Sequence, residues 1–260
     1  MTTPEPATVT EEDADRALTA VFSRVFAIRD ALPSFTPALP LTPLAHDDAR
    51  TGAHKGSTAA VRSISAAVEH LDVLHLLVMD ARHVHPSAPF TLARAAIETA
   101  SSATWLLAPP DHRERVIRAL RHAARDARDG AQAATDAGAP QPRPLEARIA
   151  EMEELAAAVG HRGQLKSPSS TECVKAAEAA VESVFPVLLI WRLCSGFAHG
   201  RTWATLAWLE QEIHDSTDTD VRLKVTNSLD RVLMVTLTAV EVLDRALRLY
   251  GERNTSAFAQ

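Results

Sequence analysis

The stretch "TAAVRSISAAVEHLDVLHLLVMDARH", residues 58–83, carries a long helical pattern. Its apolar residues recur at helical spacing, and after Leu71 they lie almost all the way round the helix. A helix that is apolar on every side is typical of the centre of a bundle, because a surface helix keeps one polar face. The stretch therefore predicts a central, buried helix around which the rest of the chain packs.

The composition favours the same fold class. The chain has 260 residues, of which 46% are hydrophobic and only 5% are aromatic, with 9 glycines. It is rich in alanine, the best helix former, whereas strands prefer β-branched and aromatic residues. No internal repeat and no alternation of strands with helices is visible. We therefore predict an all-α protein, a single helical bundle of about seven helices over residues 13–250.

Three segments are predicted to lie outside regular helices. Residues 1–12 are acidic and contain prolines, which predicts a disordered leader. Residues 33–57 include four prolines and predict a long proline-rich loop within the bundle. Residues 251–260 predict a flexible tail.

Local signals place several helix boundaries. Asp111 is suited to cap a long helix, and "SPSSTE", residues 167–172, predicts another N-terminal cap. Residues 171–209 are predicted to be helical with a bend or restart at Pro186. The last helix is predicted to run from about Asp220 to Tyr250, although "VRLKVTN" within it could form a strand on its own.

Charge and cysteine content limit the location and the partners. The formal net charge of −6 disfavours a general nucleic-acid coat but leaves room for a local basic groove. The two cysteines, Cys173 and Cys194, form no CxxC pair, which predicts a reducing compartment such as the cytoplasm. The N-terminus has no signal-peptide pattern, and the apolar runs are shorter than the roughly 20 residues of a membrane span. The sequence thus predicts a cytoplasmic protein without membrane contact.

A second stretch, "VFPVLLIWRLCSGFAHGRTWATLAWLE" at residues 184–210, carries the candidate chemistry. Arg192 and His199 are seven residues apart, nearly two helical turns, so they share a face. Ser195 lies between them, and Trp203 follows the histidine by four residues. Arginine binds anionic phosphate oxygens in a bidentate manner, and histidine transfers protons near neutral pH. This combination suits a phosphodiester substrate.

The segment "RLCSGFAH" resembles the motif of the HEPN superfamily of helical proteins, in which four to six residues stand between an arginine and a following histidine; here six do. The resemblance implies an all-α homodimer in which two copies of the motif form one composite cleft. It also implies metal-independent RNA cleavage, as in stress or phage defence, without a cofactor. His199 would then transfer protons, Arg192 would hold the scissile phosphate, and Ser195 would orient it. A partner protein such as an antitoxin is a further implication.

Other positions are candidate ligand contacts. Arg94 and Glu98 lie one turn apart in an alanine-rich segment, and the "RAAIE" segment that contains them resembles a helix of related bacterial proteins of unknown function. A charged pair that faces inward needs partners, and Arg192 and His199 are the candidates. Trp203 also lies on the candidate surface. A stripe of arginines at helical spacing could follow an RNA backbone or form a solvated face: Arg118, Arg121, Arg125 and Arg128.

An alternative without catalysis stays open. The chain could be a helical interaction module or small-ligand-binding module in which the arginine, glutamate and histidine residues form a structural network. Leu193, directly after the arginine, favours this alternative, because active members of the resembled family usually have a polar residue there. We predict no metal site, because the acidic and histidine residues near 69–85 lack Glu-x-x-His spacing, and those near 46–54 fall in the proline-rich loop.

Overall fold

The computed structural model describes residues 10–32, 38–216 and 221–256, and over these residues it contains ten α-helices and two strands. The helices are α1 Glu11–Ala31, α2 Pro43–Thr51, α3 Gly56–His75, α4 Ala88–Leu107, α5 His112–Asp136, α6 Leu145–Ala158, α7 Ser170–Ala180, α8 Val187–Ala198, α9 Thr202–Trp208 and α10 Leu229–Arg253. The strands are β1 Glu210–Ser216 and β2 Val221–Thr226. The all-α fold class is confirmed, whereas the helix count of about seven was too low.

Helix α4 lies at the centre of the bundle and packs against α3, α7, α8 and α10. It buries a continuous series of small and large residues: Phe90, Ala93, Ala96, Ile97, Ala100, Ala103 and Trp105. The alanines let neighbouring helices approach closely, and the aromatic rings fill the space at the ends. Helix α3, which was predicted to be central and buried, also has an exposed apolar side. Val73 is about half exposed, and so is Leu76, the residue directly after the helix.

A widened turn ends α3. Residues Leu76–Asp80 form a π-helical turn, in which the Ala81 amide donates to the Leu76 carbonyl at 2.9 Å. Directly before this turn, the His75 ring contacts Phe22 and Phe26 edge-on at 5.1 and 4.7 Å between centroids. The aromatic contacts with α1 thus hold the end of α3 where its hydrogen-bond pattern changes.

The proline-rich loop predicted for residues 33–57 contains a helix. Thr42 accepts a hydrogen bond from the Ala45 amide, and Pro43 occupies the first turn of α2. Proline is favoured at this position, because its missing N–H would have no helical partner there. Helix α3 then begins at Gly56, still inside the predicted loop. Residues 33–37 lie outside the described residues.

A smaller core joins α5 to α6 beside the main one. Its buried members come from both helices and from the segment after α6: Val116, Leu120, Ala124, Ala127, Met152, Ala156 and Leu165. Asp111 caps α5 by accepting from the Arg113 amide at 3.1 Å, as the sequence predicted. Ser169 likewise caps α7 by accepting from the Glu172 amide.

The last helix begins later than predicted. Residues Val221–Thr226 form β2, which pairs antiparallel with β1, and α10 begins only at Leu229. The pairing places Lys224 opposite Glu212, and their side chains form an ion pair at 3.3 Å. Strand β1 extends as far as Ser216, and residues 217–220 lie outside the described part.

The first and last helices extend into the segments that were predicted to be the leader and the tail. Thr10 caps α1, which begins at Glu11, inside the predicted leader 1–12, while residues 1–9 are outside the described range. Helix α10 continues to Arg253, inside the predicted tail 251–260, and residues 257–260 are not described. Arg253 donates to the Leu107 and Pro109 carbonyls, which fixes the end of α10. No helix in the described ranges is both long and apolar enough to cross a membrane.

Candidate functional site

Glu98 is the centre of a polar cluster that joins three helices. Its carboxylate pairs with Arg94 on the same helix, at 3.1 Å between Nη2 and Oε2. It also accepts from Ser170 Oγ of α7 at 2.5 Å and from the indole Nε1 of Trp191 on α8 at 3.3 Å. Arg94 Nε in turn donates to Ser195 Oγ of α8 at 2.9 Å. We call these five residues the Glu98 cluster.

The Glu98 cluster is partly buried and has partners within the chain. The side chains of Arg94 and Glu98 are about one quarter exposed, at 27% and 26%. Each of the five side chains takes part in at least one hydrogen bond or ion pair with another member. Such a satisfied network holds α7 and α8 on α4, because removal of one member would leave another polar group without its partner.

Arg192 and His199 do not join the Glu98 cluster. Both residues are exposed, and neither side chain makes a hydrogen bond or ion pair with another described residue. A helix turns by about 100° per residue, so Ser195 points about 60° away from Arg192. Ser195 therefore reaches α4, while Arg192 and His199 remain on the outer side of α8. The place that the sequence suggested for them beside Glu98 is taken by Ser170, Trp191 and Ser195.

A tight turn positions His199 between α8 and α9. His199 is the C-terminal cap of α8, and Gly200 follows it with a φ of +61°. The Gly200 amide donates to the Phe197 carbonyl at 3.1 Å, and the Arg201 amide donates to the Gly196 carbonyl at 2.8 Å. These two bonds define a Schellman motif, which favours glycine at the left-handed position.

Gly196 allows α9 to cross α8 at close range. A Cβ atom placed on Gly196 would lie 2.6 Å from Ala204 Cβ and 2.8 Å from Trp203 Cζ2. Both of these neighbours belong to α9. The Trp203 ring therefore packs on α8 at Gly196, one turn after Arg192 and one turn before Gly200.

Several large apolar residues of this region are exposed. Leu189, one turn before Arg192, is 60% exposed, and Trp203 is 53% exposed. Leu206, one turn after Trp203, is also about half exposed. We refer to Leu189, Arg192, His199, Trp203 and Leu206 as the α8–α9 face. Exposed apolar side chains that surround an unpartnered cation and an imidazole are typical of a surface that binds another molecule.

The arginine stripe of α5 makes contacts within the chain. Arg118 donates to the Trp105 carbonyl at 2.8 Å, and Arg121 donates to the Lys166 carbonyl at 2.9 Å. Both guanidinium groups also lie over the Trp105 ring, at 5.1 and 5.2 Å from its centroid. These arginines therefore hold the end of α4 and the segment before α7.

The remaining arginines continue the same attachment. Arg125 donates to the Pro168 carbonyl at 3.1 Å, and Arg128 donates to Ser167 Oγ at 3.1 Å. Arg121 also pairs with Glu172 at 2.9 Å. Two of the arginines also pair along their own helix, Arg118 with Glu114 at 2.7 Å and Arg125 with Asp129 at 3.5 Å, as expected of the solvated face. The other donors of the stripe bind residues 166–168 and the start of α7.

The two cysteines are poor candidates for nucleophiles. Both are free and buried. Burial raises the pKa of Cys173 to about 12, and it also raises the pKa of Cys194. Since the thiolate is the reactive form, neither side chain is activated for covalent chemistry at neutral pH.

One group of metal-ligating residues escaped the sequence analysis. Among the described residues, His46 and Asp47 of α2 come together with His112 of α5, and one ligand atom from each lies within 4.8 Å of the others. The sequence signal was incomplete, because His46 and Asp47 are adjacent in the chain but His112 is more than 60 residues away. Only the packing of α2 on α5 brings the third residue to them.

Comparison with known proteins supplies no assignment: no family model, no curated protein and no solved structure matches this chain. The geometry of the α8–α9 face and of the polar clusters is therefore the basis for assigning a function.

Proposed function

We propose that the chain is a homodimeric HEPN-like protein that cleaves RNA without a metal ion, with Arg192 and His199 of the α8–α9 face as its catalytic residues. The observation that carries the proposal is the exposure of both side chains without a partner among the described residues. A guanidinium that only stabilised the fold would be expected to bind a carboxylate or a carbonyl, as the arginines of α5 do.

The residues around the pair support an RNA substrate. Arg192 can bind the two free oxygens of a phosphodiester through its planar guanidinium group. Arg201, exposed and two residues after His199, adds a second positive charge to a chain whose formal net charge is −6.

The reaction needs a base and an acid. One imidazole removes the proton from the 2′-hydroxyl, whose oxygen attacks the adjacent phosphorus and forms a cyclic phosphate. A second imidazole donates a proton to the departing 5′-oxygen. Because each chain contributes one His199, a dimer that brings two copies together supplies both groups. The exposed Leu189, Trp203 and Leu206 provide the apolar surface for that contact. Ser195 binds Arg94, so its role is to hold α8 on α4.

Cleavage of a mixed-sequence RNA by the purified chain, in the presence of a chelator, tests the proposal. We expect wild type to leave 2′,3′-cyclic phosphate ends and His199→Ala and Arg192→Ala to lose cleavage by about 10²-fold or more, the scale of general acid–base catalysis. Arg113→Ala, which removes an exposed arginine of α5, is the matched control and should cleave normally. A wild-type chain that does not cleave, or variants that cleave as wild type does, would refute the proposal.

Dimerisation is tested separately by analytical ultracentrifugation. Trp203→Asp places a charge on the α8–α9 face and should convert dimers to monomers and abolish cleavage, whereas Ile213→Asp changes an exposed apolar residue of β1 and should do neither. A wild-type monomer at micromolar concentration would contradict the composite site.

A second candidate function is a non-enzymatic interaction module. The observation that favours it is the Glu98 cluster, whose charges bind one another rather than a ligand. In that case the α8–α9 face binds a partner protein, such as an antitoxin, through the same apolar residues. The two candidates differ in one result, because a binding module would show no RNA cleavage while Trp203→Asp would still disrupt its complexes.

A further inference from the structure

His46, Asp47 and His112 bring three metal-ligating groups together where α2 meets α5. One ligand atom from each residue lies within 4.8 Å of the others. The rings of His46 and His112 stand edge-on, with 5.2 Å between their centroids. Two imidazoles and one carboxylate are a ligand set that suits Zn²⁺ and related transition-metal ions.

We propose that these three residues form a binding site for a divalent transition-metal ion such as Zn²⁺, with water as the remaining ligand. This site is independent of the proposed ribonuclease function, since it is built from α2 and α5 rather than from α8 and α9. It also differs from the sequence expectation, which placed His46 and Asp47 in a loop without a metal.

The carboxylate of the site is held in place before any metal binds. Asp47 Oδ2 accepts from Arg115 Nε at 2.6 Å, and Asp47 Oδ1 accepts from Arg115 Nη2 at 3.2 Å. Arg115 is itself fixed by the Pro109 and Pro110 carbonyls at 2.9 and 2.8 Å. Such outer contacts orient metal-ligating carboxylates in characterised sites. The nearby guanidinium charge also repels a cation, so we expect a site of moderate rather than extreme affinity.

The two histidines provide a second, independent indication of a metal site. His112 Nδ1 is buried and has no hydrogen-bond partner among the described residues. Buried polar atoms nearly always have a partner, so an unpartnered imidazole nitrogen indicates that a group is still to be bound there. His46 is half exposed, which leaves a path for the ion from solvent.

The ligands need only a small adjustment. Ligand atoms about 2.0–2.1 Å from a tetrahedral zinc lie about 3.4 Å apart, so atoms that all lie within 4.8 Å of one another must approach by at most about 1.4 Å. Rotation of the half-exposed His46 side chain can supply most of this change, because Asp47 is held by Arg115. Bound metal would then link the first residue of α5 to α2.

Isothermal titration calorimetry of the full chain with zinc chloride tests the site. We expect one zinc ion per chain, a rise in melting temperature with zinc, and reversal of both by a chelator. His46→Ala and His112→Ala should each weaken zinc binding by about 10-fold or more. Cobalt substitution gives a further readout, since a tetrahedral site with histidine ligands shows visible absorption bands that both variants should lose.

Two controls separate this site from ordinary surface binding. His54→Ala removes a histidine just after α2 that is not part of the group, and it should bind zinc as wild type does. His83→Ala disrupts the His83–His85 ring pair, whose centroids are 4.0 Å apart and which is the competing histidine site. Absence of zinc binding in wild type, unchanged binding in the His46 and His112 variants, or loss of binding in His83→Ala would each overturn the proposal.

Discussion

Asp47 and Arg115 form a bidentate ion pair that connects α2 to α5 and excludes solvent. The exposed fractions of the two side chains are 8% and 6%. Burial raises the pKa of Asp47, while its hydrogen bond with Arg115 acts in the opposite direction. The pair therefore keeps a charged carboxylate in a position where burial alone would favour its neutral form.

Removal of the Arg115 guanidinium should be strongly destabilising. We expect Arg115→Met to lower the free energy of unfolding by about 3–5 kcal/mol, because Asp47 and two carbonyls lose their partner in the interior. Urea denaturation followed by circular dichroism measures this change. Arg143→Met breaks the exposed pair with Glu151 and should cost less than about 1 kcal/mol. Equal losses in the two variants would show that burial of the Asp47 pair has no special effect.

Gly196 should not tolerate a side chain. In Gly196→Ala the new methyl group meets Ala204 and Trp203 at distances shorter than van der Waals contact, so we expect a loss of roughly 1–3 kcal/mol. Tryptophan fluorescence should change as well, because Trp203 has to move. Gly130→Ala is the matched control in α5, where nothing lies within 4 Å, and it should stabilise the chain by about 0.5–1 kcal/mol. Stabilisation by both substitutions would contradict the close crossing of α8 and α9.

The attachment of residues 161–169 to α5 should depend on Arg121. Replacement of this residue by glutamine removes its bonds to the Lys166 carbonyl and to Glu172. We expect Arg121→Gln to accelerate tryptic cleavage after Lys166 several-fold, with the fragments identified by mass spectrometry. Arg113→Gln, at an exposed position of the same helix, should leave the rate unchanged. If Arg121→Gln is cleaved at the wild-type rate, the other arginines of α5 are sufficient to hold residues 161–169 in place.

His122 should make the fold sensitive to acid. Burial lowers the pKa of this imidazole, and Arg125 lowers it further, whereas Asp126 raises it. The unfolded chain therefore takes up a proton first as the pH falls through the ordinary histidine pKa of about 6.5, which stabilises the unfolded state. We expect stability to decrease below that pH, by at most about 1.4 kcal/mol per pH unit for this one group.

The variant His122→Gln should reduce the slope of stability against pH on the acid side, as measured by urea denaturation at a series of pH values. His214→Gln, at an exposed position of β1, is the control for the exchange of a histidine for glutamine. An unchanged slope in His122→Gln would show that its protonation does not differ between the folded and unfolded chain.

Local signals in the sequence were sufficient for much of the secondary structure. The caps at Asp111 and Ser169 could be predicted because each depends on a residue and an amide two or three positions later. Helix α2 was missed because Pro43 was treated as a breaker, although proline also starts helices. Strand β2 was assigned to the last helix because its sequence runs directly into the apolar pattern of α10.

The candidate site was less accessible to prediction, because its geometry depends on packing. The inward orientation of Arg94 and Glu98 follows from their alanine-rich helix, but the partners Ser170 and Trp191 come from two other helices. Neither a serine in a cap segment nor a tryptophan in an apolar run carries a signal for such a contact. The contacts of the α5 arginines could not be predicted either, because their partners are backbone carbonyls, which every residue type has.

The Glu98 cluster also has a consequence for how long the folded state persists. Its contacts between helices join residues 72, 93 and 101 positions apart in the chain. Contacts of such long range form only after the intervening segments have been ordered, which places them late on the folding pathway. Interactions that are absent from the transition state slow unfolding and leave the folding rate almost unaltered. The cluster should therefore set the lifetime of the native bundle. In stopped-flow experiments, Glu98→Gln should increase the unfolding rate by a larger factor than it decreases the refolding rate.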